Sequence, residues 1–349
     1  MKAILAGTSK GLFTFRSDGN QRAFVVDGPT FRGEEVYGVA VDEHDPARWF
    51  AASVSEHWGP TVRRSDDAGA SWTDGALAFP KKTGSAVRRV WQVVADGDVV
   101  YAGVEPAALF RSTDGGSTFS LVRGLWNHPH RPQWDPGGGG LCLHTILVDP
   151  ASSERLLVAI STGGVYRSDD GGKTWQVSNT GIRAVHLPDP DVEFGQCVHK
   201  VARDAATPDR LYLQNHWGVY RSDDAGESWT PIGSSLPSDF GFPIVAHPRR
   251  ADTAYVIPLV SDEYRCTPEG RCRVYRTIDG GRSWHPLANG LPQQNAQLTV
   301  LRDGFASDGQ SGLCFGTRTG EVYASSDDGE HWVEVARHLP PVLSIRAVA

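Results

Sequence analysis

The sequence predicts an all-β chain folded as a single seven-bladed β-propeller over residues 1–349. Three observations carry this. A short turn motif recurs six times in phase, a strand-like run precedes each copy, and a C-terminal apolar segment supplies an inner strand that the N-terminus lacks.

The motif is Ser/Thr-x-Asp-x-Gly-x-x-Trp/Phe. Its copies are Ser65-Asp67-Gly69-Trp72, Ser112-Asp114-Gly116-Phe119 and Ser168-Asp170-Gly172-Trp175, then Ser222-Asp224-Gly226-Trp229, Thr277-Asp279-Gly281-Trp284 and Ser325-Asp327-Gly329-Trp332. Successive aspartates stand 47, 56, 54, 55 and 48 residues apart, a period that fits one four-stranded blade. Short polar side chains fold back onto the N–H groups of a tight turn. The glycine takes the left-handed backbone, and the aromatic ring anchors the turn in its blade. Each box is therefore expected to join the third and fourth strands of a blade, after runs such as Gly163 to Arg167 and Gly218 to Arg221. A seventh third strand, Gly7 to Arg16, ends in a shortened box at Ser17-Asp18-Gly19.

Inner strands are expected near Tyr37–Val41, Trp91–Ala95, His144–Val148, His199–Arg203, Phe242–Ala246 and Asp303–Ser307. The last, Pro341–Val348, is expected to complete the first blade, because Ala3–Gly7 reads as a second strand. Such closure leaves no open edge in the ring. No segment shows helical periodicity of useful length.

Composition narrows the function classes. The chain is 40% hydrophobic and 21% charged, within the ordinary globular range. Net charge is −7 with no basic run, which argues against a nucleic-acid partner. No apolar run approaches the roughly 18 residues of a membrane helix, and the start does not read as a secretory signal. A cytoplasmic location with no membrane partner is the expectation. Five cysteines give no disulfide framework. Cys266 and Cys272 flank a turn, and reduced thiols are expected there over a bridge.

The six boxes resemble the BNR/Asp-box repeats of the sialidase-like propeller superfamily. Across the whole chain, the sequence is similar to bacterial propellers loosely labelled glycosyl hydrolases or exo-sialidases. The resemblance implies the fold, and a carbohydrate-like substrate as one expectation. Sialidases also carry an Arg-Ile-Pro motif, an arginine triad and a Tyr–Glu pair. Phe31-Arg32-Gly33-Glu34-Glu35 lacks the Ile-Pro, and neither the full triad nor the Tyr–Glu pair can be placed on this sequence, so sialidase activity is not expected.

Strand direction sorts the loops. If the boxes occupy one face, the loops joining strands two and three and the linkers between blades occupy the other, where function is expected. Two linkers there are long: Leu125 to Gly140, with four terminal glycines, and the acidic His186 to Gly195. Histidines gather on the same face. Glu56-His57-Trp58-Gly59 and Asn215-His216-Trp217-Gly218 occupy one loop type, and Cys142-Leu-His144 and Cys197-Val-His199 open two inner strands.

These residues suggest general acid/base or metal chemistry. His57, His144, His199 and His216 are the candidate ligands for one divalent metal ion. His144, His199 and Glu34 are the candidate catalytic groups. Arg32 and Arg89 are candidate clamps for a small polar or carbohydrate-like substrate, with Trp58, Trp126, Trp134 and Trp217 as flat walls. The expected activity is hydrolysis or elimination. Three other readings stay open: a closed site of Cys142, His144, Cys197 and His199, a metal-free polar pocket, and structural histidines with ordinary partners. A non-catalytic scaffold for protein partners is the rival function.

Overall fold

A computed structural model describes residues 1–17 and 23–349. Among these residues the strands form seven four-stranded antiparallel sheets. Blades 2 to 7 each take their strands in chain order. Their inner strands are Glu35–Val41, Arg89–Asp96, Leu143–Asp149, Val198–Arg203, Gly241–Ala246 and Phe305–Ser307. Blade 1 is built from both ends of the chain. Val342–Val348 forms its inner strand and pairs with Ala3–Thr8, which is followed by Gly11–Ser17 and Phe24–Thr30. Among the described residues, helix is confined to the single turn Arg123–Trp126 and three short 3-10 turns.

The expected inner strands are all present, with one difference. Blade 7 begins at Phe305 instead of Asp303. The Asp303 carbonyl accepts the Ile345 N–H of the neighbouring blade 1 at 2.6 Å, so this residue bonds to blade 1 and not within its own sheet.

The boxes hold their turns together as their chemistry dictates. Ser65 Oγ accepts the Gly69 N–H at 2.8 Å and donates to Asp67 Oδ1 at 2.7 Å. Asp67 in turn accepts the Ser71 N–H at 2.8 Å and the Ser71 hydroxyl at 2.6 Å. Gly69 has φ +89°, which a side chain would resist. The same pattern recurs at Asp114, Asp170, Asp224 and Asp279, while Asp327 binds His331 instead of a hydroxyl. The shortened box at Asp18 and Gly19 lies outside the described residues.

Between blades the core is aromatic and aliphatic. Tyr101, Tyr166, Tyr212 and Tyr255 are fully buried, and so are Phe50, Phe110 and Phe315. Each large buried side chain contributes about 1.5–3 kcal/mol. The result is a rigid ring around a channel lined by the inner strands.

Candidate functional site

Register shifts at the start of the inner strands shape the channel mouth. In blades 1 to 6 the inner strand carries one extra residue against its neighbour. The extra residues are Leu343, Tyr37, Trp91, His144, His199 and, in blade 6, one within the pair Phe242–Pro243. A bulge re-aims its side chain. Leu343, Tyr37, Trp91, His199 and Phe242 all line a cavity of about 600 Å³ on the face away from the boxes.

Cys197, His199 and His216 converge on one wall of this cavity, with ligand atoms within 4.8 Å of one another. Cys197 Sγ lies 3.8 Å from His199 Nε2. The His199 ring is 2% exposed, and its Nδ1–H donates to the Gly241 carbonyl at 2.6 Å. That bond fixes the tautomer and leaves Nε2 with a lone pair toward the thiol. Burial pushes the His199 imidazole well below its ordinary range, and Arg302 acts in the same direction. His216 follows the second strand of blade 5. Its backbone N–H donates to the Cys197 carbonyl at 2.9 Å, which clamps the two segments together. Its Nε2 lies 3.2 Å from Asp262. Burial lowers the His216 pKa, and the bond to Asp262 opposes the shift. Burial raises the Cys197 thiol, against the pull of Arg302 and Arg265.

The remaining walls combine rings and guanidiniums. Trp217 stacks on His186 at 4.8 Å and 15°. Arg302 lies 5.6 Å from the Trp91 ring and 5.5 Å from Phe242. Arg89 stacks on Tyr37 at 4.1 Å and pairs with Glu105 at 3.4 Å. Among the described residues, Arg265, Arg302 and Arg318 line the cavity without a carboxylate within ion-pair distance. The two lining carboxylates are both engaged, Asp262 with His216 and Asp303 with Lys200. Gly137, Gly138 and Gly139 of the long linker form part of the rim.

Of the residues expected from sequence, the cavity thus gathers His199, His216, Arg89 and Trp217. His144 is not among them. It is fully buried, with Nε2–H donating to the Val198 carbonyl at 2.9 Å and Nδ1 bonded to Thr145 at 3.1 Å. Both nitrogens are spent on the fold, so it is a satisfied core histidine. Cys142 is buried beside it, and burial pushes its thiol up to about 11. The closed four-residue site is therefore not assembled.

Glu34 also lies outside the cavity, bonded to Arg63 and Ser53 at 2.6 Å each. Arg32 and His57 are exposed, and Trp58 is 86% exposed with no cover. Trp126 packs on Phe79 at 4.8 Å beneath Arg131. Trp134 is buried, and its indole N–H donates to the Tyr166 hydroxyl at 2.9 Å. Both tryptophans brace the long linker.

Sequence reasoning missed Tyr37, Trp91, Phe242, Asp262, Arg265, Arg302 and Arg318. The first three reach the cavity through bulges, which leave no mark in the sequence pattern. The others sit on segments of blades 6 and 7, far along the chain from the histidines of blade 5.

The comparisons agree with the architecture. The BNR/Asp-box repeat model matches residues 166–177. A xyloglucanase of Hypocrea jecorina is 26% identical over 79% of this chain, and Xyloglucanase Xgh74A of Acetivibrio thermocellus is 26% identical over 75%. The chain spans only about a third of their length, 36% and 33%. The GH74 xyloglucanase structure from Xanthomonas campestris superimposes with TM-score 0.65 at 20% identity, covering 96% of this chain and 53% of that one. A structure of YCF48 bound to D1 peptide superimposes with TM-score 0.55 at 15% identity, covering 86% and 81%. The chain is a seven-bladed propeller built on BNR/Asp-box repeats, and the sialidase-like superfamily is consistent with that architecture.

Proposed function

We propose that this propeller is a hydrolase or lyase acting on a small, carbohydrate-like substrate held in the funnel opposite the Asp boxes. The observation that carries the reading is the composition of one cavity. Two histidines and a cysteine occupy one wall, flat rings offer stacking surfaces, and guanidiniums without ion-pair partners face the same space. A volume of about 600 Å³ suits a molecule of a few sugar units. The similarity to xyloglucanases supports a carbohydrate substrate, and the arginine surplus favours one with a carboxylate or phosphate group.

The chemistry rests on the imidazoles. A glycosidase with two carboxylates needs one as a free acid and the other as nucleophile or base. Here Asp303 accepts from the Lys200 ammonium at 2.5 Å and Asp262 accepts from His216, so both are held as acceptors. His199 and His216 are the groups left to move a proton or to hold a metal that does. Arg89 and Trp217 orient the substrate.

Incubation with neutral xyloglucan oligosaccharides and with uronate-bearing oligosaccharides tests this. Chromatography should show new reducing ends or unsaturated sugars, and His199→Ala should abolish them. The rival reading, a scaffold for protein partners, is favoured by the match to YCF48 bound to a peptide. No product from any glycan, together with a tight complex between this face and a peptide, would establish the rival.

A further inference from the structure

Blades 4 and 5 carry the same motif at the same place, and of the two only blade 5 brings three potential metal ligands together. Each inner strand opens with Cys-x-His, and each histidine is the extra residue of a bulge. In each blade the cysteine carbonyl accepts an N–H from the end of the second strand. The donor is Ser161 in blade 4 and His216 in blade 5. Blade 4 thus has a serine where blade 5 has a third potential ligand, the His216 imidazole. In blade 4 both His144 nitrogens are bonded to Val198 and Thr145. In blade 5 only Nδ1 of His199 is committed, and Nε2 faces Cys197.

We propose that Cys197, His199 and His216 form a three-ligand site for one divalent metal of the zinc type, with the fourth position open to the cavity. A thiolate with two imidazoles is a borderline-soft donor set that selects zinc over magnesium or calcium. Three protein ligands and an open position is the pattern of catalytic zinc. The outer groups are also in place. The Gly241 carbonyl orients His199 and the Asp262 carboxylate orients His216, as second-shell partners of ligating histidines do. Phe240 and Phe242 pack on the two rings, at 5.0 Å from His216 and 4.7 Å from His199, and limit their rotation. Zinc bond lengths place tetrahedral ligand atoms roughly 3.5 Å apart. The Cys197–His199 distance of 3.8 Å already approaches that. The full set, within 4.8 Å, closes by about 1 Å of side-chain rotation. A bound metal would lower the pKa of a water in the open position and supply the nucleophile or base of the proposed reaction. The site itself stands on its geometry and not on that reaction.

The test loads the purified chain with zinc chloride or cobalt chloride, removes excess by desalting, and measures metal per chain. The expected result is about one zinc per chain. The cobalt form should show a thiolate-to-cobalt charge-transfer band in the near ultraviolet. Cys197→Ala and His216→Ala should lose stoichiometric zinc, and Cys197→Ala should lose the band. Cys142→Ala should keep both, because its blade lacks the third ligand. The cobalt spectrum of the unaltered chain needs no variant to fold. Less than about a tenth of a zinc per chain, a cobalt form without the band, or equal loss in Cys142→Ala would overturn the site. Full metal content without turnover of any glycan would leave the site and remove the enzyme reading.

Discussion

Lys200 of blade 5 reaches past blade 6 to Asp303, in the segment that leads into blade 7, with Nζ 2.5 Å from Oδ1 and both side chains largely buried. Burial lowers the lysine pKa, and the aspartate opposes that shift. The pair ties blade 5 to the segment between blades 6 and 7 at the channel. Lys200→Met should leave Asp303 uncompensated and destabilise the ring by roughly 3–5 kcal/mol. Adding Asp303→Leu should restore much of the loss. Denaturant unfolding of the two single variants and the double variant checks both statements. Additive losses would contradict the pairing.

The box aspartates give a second prediction. Hydrogen bonds from the turn hydroxyls hold Asp67, Asp114 and Asp170 at about 2, below the ordinary value of 3.8. Their depressed folded pKa means that the unfolded chain binds protons first as pH falls. The stability they contribute is present above about pH 4 and lost on descent from 3.8 toward 2. Unfolding midpoints should drop steeply in that window, and Asp170→Asn should flatten the drop. A midpoint insensitive to pH there would refute this role.

Arg302 supplies the third. Its guanidinium lies near the Trp91 and Phe242 rings, with no carboxylate within ion-pair distance among the described residues. A charged hydrogen bond to a ligand anion is worth about 1.5–3 kcal/mol. Arg302→Gln should therefore weaken glucuronate binding about 10- to 100-fold, by calorimetry, and leave glucose binding unchanged. Equal effects on the two sugars would argue against an anion-recognising arginine.

Ring closure gives the fourth. Ending the chain after Pro341 removes the inner strand Val342–Val348, along with the Ile345 bond to Asp303 and the contact of Ser344 Oγ with the Val36 carbonyl. The open edge of Ala3–Thr8 should then favour association between chains. Light scattering and thermal unfolding should show aggregation and a broadened transition. A monomer with an unchanged transition would contradict closure by the tail.

The ring was legible because its turn chemistry repeats. Asp67, Asp170 and Asp279 each announce the same hairpin, and the period sets the blade. The site was legible only in part. His199 and His144 share a motif, and each donates one ring N–H to a carbonyl of the next blade; the difference is the Thr145 hydroxyl that occupies the second nitrogen of His144, where Nε2 of His199 faces Cys197. His216 and His57 share His-Trp-Gly as well. Trp217 is covered by His186 from a long linker, whereas Trp58 has no such cover. Tyr37, Trp91 and Phe242 reach the mouth through bulges, and a one-residue register shift leaves no mark in a hydrophobic pattern. Arg265, Arg302 and Arg318 come from segments of blades 6 and 7 far along the chain from the histidines of blade 5.

Hydrogen–deuterium exchange with and without saturating glucuronate tests the central claim most directly, because it reads where the ligand sits. The account predicts slower exchange in residues 197–217, 240–242 and 300–303 and none at the box turns. Protection at residues 65–72 or 168–175, with 197–217 unchanged, would place binding on the wrong face and contradict it.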